Sequence, residues 1–121
     1  MSDWREISVQ KTNEKIEMEE ANVIDIRDPD SYTGSHIPGA IQLIDKKEAD
    51  DFMTTSDKEK PLIIYCYHGI SSQGAASYFF QKGFKEVYSM IGGFESYQLN
   101  YHTSICGADL YLSFTGSKKK I

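Results

Sequence analysis

The sequence predicts an α/β domain with a mostly parallel sheet, and three observations carry that expectation. Strand-like and helix-like segments alternate along the chain without an internal repeat, as successive strand-helix units should. The run "LIIY" at 62–65 is apolar at every position, as a central strand covered by helices on both faces must be. The chain has 121 residues, 40% of them hydrophobic, enough for one core that folds without staples.

Each element has its own signal. "DWREI" is a first strand, and Ser8 is placed to cap a helix through "VQKTNEKIEM" that has Val9, Thr12 and Ile16 on one face. "NVIDI" is a second strand that stops at "RDPD", where Asp28 caps and Pro29 opens a short helix ended by Gly34. "GSHIPGA" is a loop and "AIQLI" a third strand. Asp45 and Glu48 then stand at capping-box spacing before a helix that stops ahead of the polar loop "TTSDKEKP". "LIIY" is the fourth strand, and "SSQGAASYFFQKGF" is a helix closed by Gly83, with Phe84 placed to pack back. "EVYSM" is a fifth strand and "GGFESYQLNYH" a last helix. Residues 1–103 are expected to form the domain, with 104–121 a C-terminal extension whose "SKKKI" reads as a solvated tail.

Bulk properties exclude several classes of function. A formal charge of −5 argues against general nucleic-acid binding, which needs clustered basic residues to neutralise phosphates. No apolar run approaches the length of a membrane span, and "MSDWREISVQ" has no apolar signal region, so the expectation is a cytoplasmic protein without a membrane partner. Cys66 and Cys106 are read as two separate thiols, because a reducing compartment makes a disulfide unnecessary and their spacing fits no zinc pattern. No metal or organic cofactor is expected.

The chemistry concentrates in "LIIYCYHGISSQGAASYFF" at 62–80, where an apolar strand ends in Cys66 and the chain turns through a short loop into a helix. A thiol is a weak nucleophile until it ionises, so a reactive cysteine needs surroundings that favour the thiolate. Here the amides of Tyr67, His68, Gly69, Ile70, Ser71 and Ser72 can converge on the sulfur at the positive end of the helix. Gly69 permits the tight turn. A free cysteine closing an apolar strand is often simple core, but this one sits where the binding crevice of an open parallel sheet is expected. Cys66 is therefore the candidate nucleophile.

"CYHGISSQGAASYFFQKGF", with "VIDIRDPDSYTGSHIPGA" before it and "VYSMIGGFESY" after it, resembles the single-domain rhodaneses, closest to the GlpE-type thiosulfate sulfurtransferases. The resemblance spans roughly residues 4 to 102 in matching order. It implies a rhodanese-like fold, a five-stranded parallel sheet with helices on both faces. It also implies that Cys66 takes the outer sulfur of thiosulfate, releases sulfite and passes the sulfur as a persulfide to cyanide or a thiol, a thioredoxin-like protein being one candidate acceptor. A persulfide carrier or interaction module in a sulfur relay is the alternative reading. Cdc25-type phosphatases and arsenate reductases share this architecture, but phosphate chemistry calls for an arginine at the sixth position after the cysteine, and Ser72 stands there.

Other residues have two roles open to them. Ile70 replaces a polar residue of the related loop: with Ser71 as N-cap it can staple onto Ala75, or it can form an apolar lip for a thiol acceptor. The His68 ring can add positive charge beside the nucleophile, or only its backbone N–H matters. Asp25 and Arg27, two apart on the second strand and so on one side of it, read as an ion pair near the loop, with a supporting role in binding thiosulfate as the alternative. His36 reads as a loop-fixing residue. Gly92 and Gly93 match the family's turn before the last helix, with Ile91 where it usually has an acidic residue and Tyr97 where it has an aromatic, often tryptophan. Cys106 lies outside the resemblance.

Overall fold

The computed structural model describes residues 3–103, so Cys106 and the lysine-rich tail lie outside the described residues. Five strands form the sheet: β1 (Arg5–Ile7), β2 (Asn22–Asp25), β3 (Ile41–Gln42), β4 (Leu62–Tyr65) and β5 (Val87–Met90). Five helices alternate with them: α1 (Val9–Glu17), α2 (Pro29–Gly34), α3 (Lys46–Thr55), α4 (Ser71–Gln81) and α5 (Gly93–Asn100). The strand order is β1-β5-β4-β2-β3, and every pairing is parallel.

All four residues of β4 are fully buried, as its unbroken apolar run requires of the middle strand. Alternation along the strands splits the core in two. Ile24, Leu62, Ile64 and Val87 pack with Ala49, Met53, Ala76 and Phe79 of α3 and α4. Val23, Ile63, Tyr65 and Met90 face Phe94 and Tyr97 of α5, with Val9 and Ile16 of α1 packed against that cluster. Burying each large apolar side chain is worth roughly 1.5–3 kcal/mol, so the two layers dominate the stability of the fold. Among the described residues, no helix is long and apolar enough to cross a membrane.

Helix ends follow local chemistry. Ser8, Asp28 and Asp45 each accept an N–H of the first turn of α1, α2 and α3. The capping box at α3 is displaced by one residue: Asp45 Oδ1 accepts the Glu48 N–H, but Glu48 Oε1 accepts from Ile44 rather than from Asp45 itself, both at 2.9 Å. At the end of α4, Gly83 (φ +107°) lets the Phe84 N–H reach Phe79 O while its own N–H reaches Phe80 O, a Schellman closure with the two phenyl rings in contact.

Several boundaries differ from the sequence expectation: β2 stops at Asp25, so Arg27 lies just beyond it, β5 starts at Val87 and α5 ends at Asn100. β1 and β3 are the sheet edges, and each keeps only the residues that find a partner: Arg5–Ile7 against β5, and Ile41–Gln42 against β2. α3 runs two residues further, to Thr55, because the hydroxyls of Thr54 and Thr55 fold back onto carbonyls one turn earlier instead of ending the helix.

Candidate active site

Cys66 directly follows β4, at the carboxyl end of the central strand, and is only 7% exposed. The chain then turns through Tyr67–Ile70 into α4. Two backbone N–H groups donate to Sγ, Gly69 at 3.2 Å and Ser72 at 3.3 Å, and the Ser72 hydroxyl oxygen lies 3.4 Å away. Burial alone would push the thiol up. The Ser72 hydroxyl and the amides of Ser72, Gly69 and His68 outweigh it and hold the thiol below its ordinary value. The arrangement therefore favours the thiolate through neutral donors alone.

Two glycines with positive φ make this geometry possible. Gly69 (φ +92°) packs so closely that a Cβ would stand 2.8 Å from the Gly92 nitrogen. At Gly93 (φ +63°) a Cβ would lie 2.4 Å from Tyr67 O and 2.6 Å from Cys66 O. The start of α5 thus touches the loop backbone. Phe94 and Glu95 donate their N–H groups to the carbonyls of Cys66 and Tyr67 at 2.8 and 3.0 Å. Those bonds hold the carbonyls on α5, leaving the N–H side of the loop to the sulfur.

Of the loop residues expected around Cys66, Gly69 and Ser72 make direct backbone bonds to Sγ, and His68 contributes through its N–H. The His68 imidazole is exposed and pairs with Glu95 at 3.2 Å. Tyr67 and Ser71 line an open cleft of about 530 Å³ over the sulfur, shared with Arg27, Asp28 and Ser31.

The expected staple is not formed. Ile70 is 72% exposed, takes the αR conformation (φ −96°, ψ −56°) and itself occupies the position before the helix, while Ser71 is the first helical residue and caps nothing. The cause is the sulfur: Cys66 Sγ accepts the Ser72 N–H that an N-cap side chain would take, so the preceding residue continues the helical backbone and its side chain projects to solvent.

Asp25 and Arg27 form a buried ion pair. Arg27 donates from its backbone N–H, Nε and one terminal nitrogen to the carboxylate, with the shortest contacts at 2.8 Å, and donates to Ser35 O at 2.6 Å. Tyr65 donates its hydroxyl to Asp25 at 2.5 Å and accepts the Ile37 N–H. The guanidinium lies 4.1 Å from the Phe94 ring centre. Arg27 is 8% exposed, so its charge is directed mainly inward while one edge borders the cleft. His36 is buried, stacked 4.0 Å from Tyr32, with Nδ1 2.9 Å from Tyr32 O.

Sequence reasoning missed three participants. Ser89 is buried under the start of α4 with its Oγ 2.7 Å from Ser72 Oγ. Its signal was a lone small polar residue in "VYSM", a strand next to the centre of the sheet. Phe94 under Arg27 and the Tyr65 hydroxyl on Asp25 gave no signal, because each depends on packing between residues distant in sequence. Among the described residues, no group of three or more His, Cys, Asp or Glu side chains is arranged to hold a metal ion.

Comparison with known proteins agrees with this architecture. Residues 8–100 match the family model of the rhodanese-like domain. The chain is 44% identical over 102 residues to the thiosulfate sulfurtransferase GlpE of Pseudoalteromonas translucida, covering 84% of this chain and 96% of that one. It is 43% identical over 101 residues to the protein of the same name from Coxiella burnetii, covering 84% and 94%. Among solved structures, the BH2092 protein of Bacillus halodurans superposes with a TM-score of 0.70 at 30% identity over 84% of this chain and 77% of that one. The Alr3790 protein of Anabaena shares the fold with a TM-score of 0.74 at 17% identity, over 95% and 94%. A parallel sheet that delivers a cysteine into a ring of amides, and a match over most of its length, make this chain a member of the rhodanese-like domain family.

Proposed function

We propose that this protein is a thiosulfate sulfurtransferase in which Cys66 carries the transferred sulfur as a persulfide, with residues 1–103 as the catalytic domain. The observation that carries the reading is Sγ of Cys66 held by the Gly69 and Ser72 amides at the floor of an open cleft. The names of the relatives, thiosulfate sulfurtransferase GlpE, agree with it.

Two displacements account for the reaction. The Cys66 thiolate attacks the outer sulfur of thiosulfate, a new S–S bond forms, and the old one breaks with its electron pair leaving on sulfite. Cyanide or a thiolate then attacks the outer sulfur of the persulfide and becomes thiocyanate or a new persulfide, while Cys66 departs as thiolate. The same amides face the anion before the first step and after the second, so little reorganisation is needed. No proton needs to move in either displacement. Arg27, at the edge of the cleft and held by Asp25, is suited to attract the sulfonate end of thiosulfate.

Ser72 speaks against phosphate chemistry. Its side chain is fully buried, and no arginine fork stands at its position to hold a dianion. The exposed Ile70 and the half-exposed Tyr67 at the loop favour a second reading, an organic or protein thiol as acceptor, with a thioredoxin-like protein as the candidate partner in the reducing cytoplasm. Thiosulfate-to-cyanide turnover by the wild type and by Cys66→Ser tests the enzyme reading. Turnover by the wild type alone supports it. Negligible wild-type turnover overturns it, and a persulfide obtained only from a donor protein identifies a carrier.

A further inference from the structure

Ser89 lies in β5, between β1 and β4 in the sheet, and is 1% exposed. A hydroxyl carries one donor hydrogen, and a buried one left without an acceptor is costly. Among the described residues, the one hydrogen-bond partner of the Ser89 hydroxyl is Ser72 Oγ, at 2.7 Å. Ser72 is itself fully buried, and its hydroxyl has one further neighbour, Sγ of Cys66 at 3.4 Å. The three atoms form a chain with two links.

Counting hydrogens along that chain distinguishes a thiolate from a thiol that donates inward. With a thiolate, Ser89 donates to Ser72, Ser72 donates to the sulfur, and each hydrogen is used. If a thiol donates inward to Ser72, three hydrogens compete for two links and one is left over. We infer that Ser89 is a positioning residue for the sulfur chemistry: by donating to Ser72 Oγ it turns the Ser72 hydroxyl into a donor aimed at Cys66, favouring the anion that attacks and departs.

The ionisable groups near the sulfur do not take over this role. Arg27 is committed to Asp25, Asp28 caps α2, and His68 pairs with Glu95. None of them hydrogen-bonds to Ser72 or Ser89.

The inference rests on Cys66 being the sulfur carrier, but its test does not require turnover. Alkylation of Cys66 by iodoacetamide is followed against pH, with the modified peptide resolved by mass so that Cys106 does not contribute, for the wild type, Ser89→Ala, Ser89→Thr, Ser72→Ala and the Ser72→Ala/Ser89→Ala double variant. Thermal melts confirm that each is folded. Ser89→Ala should raise the midpoint by about half a unit, a roughly threefold loss of thiolate below the midpoint. Ser89→Thr, which keeps the hydroxyl, should stay near the wild type, and Ser89→Ala should add nothing once Ser72 is alanine. A Ser89→Ala profile that superimposes on the wild type, or the same further shift in the double variant, overturns the relay. Failure of the wild type to accept sulfur from thiosulfate would instead remove the sulfurtransferase reading, while the alkylation profiles would still decide the role of Ser89.

Discussion

The backbone N–H of Ser72 points at Sγ of Cys66 across 3.3 Å, so a side chain six residues upstream acts as the N-cap of α4. The helix and the sulfur stabilise each other. The helix end offers an unpaired donor, and the sulfur, most of all as thiolate, supplies the acceptor.

That coupling has a pH signature. Burial opposes ionisation, but the Ser72 hydroxyl and the loop amides prevail, so the folded-state pKa lies below the unfolded one. A depressed pKa adds stability that is fully present above the unfolded-state pKa and is lost as pH falls through the folded-state pKa. Melting of the wild type and Cys66→Ala should therefore diverge as pH rises toward the ordinary thiol value of about 8.5, with the wild type gaining. A constant difference over that rise would contradict the thiolate cap.

Gly93 and Gly74 make opposed predictions from one type of substitution. Gly93→Ala places a methyl 2.4 Å from Tyr67 O on a left-handed backbone, and should cost about 3 kcal/mol or more along with most sulfur transfer. Gly74, inside α4 with nothing within 4 Å of its Cβ position, should gain about 0.5–1 kcal/mol on conversion to alanine. Chemical denaturation of both variants checks the pair. Equal effects would mean that the contact between α5 and the loop is not tight.

Asp25→Ala should be among the most destabilising single changes. It leaves the Arg27 guanidinium and the Tyr65 hydroxyl without their buried acceptor, at a cost of roughly 3–5 kcal/mol. Loss of less than about 1 kcal/mol in urea unfolding would show that solvent reaches the pair.

Ile70→Asn should change stability by no more than about 0.5 kcal/mol, because its side chain is 72% exposed. A loss well beyond that would restore the hydrophobic staple.

The parts of the fold legible in the sequence were those set by neighbours along the chain. The apolar run of β4, the caps Ser8, Asp28 and Asp45, and the Gly83–Phe84 closure all need only a few adjacent residues to state their preference. Cys66 at a strand end before a glycine loop belongs with them. Ile70 misled because Ser71 looked like a cap, whereas the acceptor comes from Cys66, across a turn whose shape depends on Gly69 and Gly93. Ser89 and Phe94 were hidden for a similar reason: each meets the site only after the sheet has assembled, and neither residue type announces such a partner.

The intact mass of the protein after thiosulfate treatment tests the central claim most directly. A gain of one sulfur atom, reversed by cyanide and absent from Cys66→Ser, is the expected result. An unchanged mass for the wild type, or a gain that persists in Cys66→Ser, would contradict it.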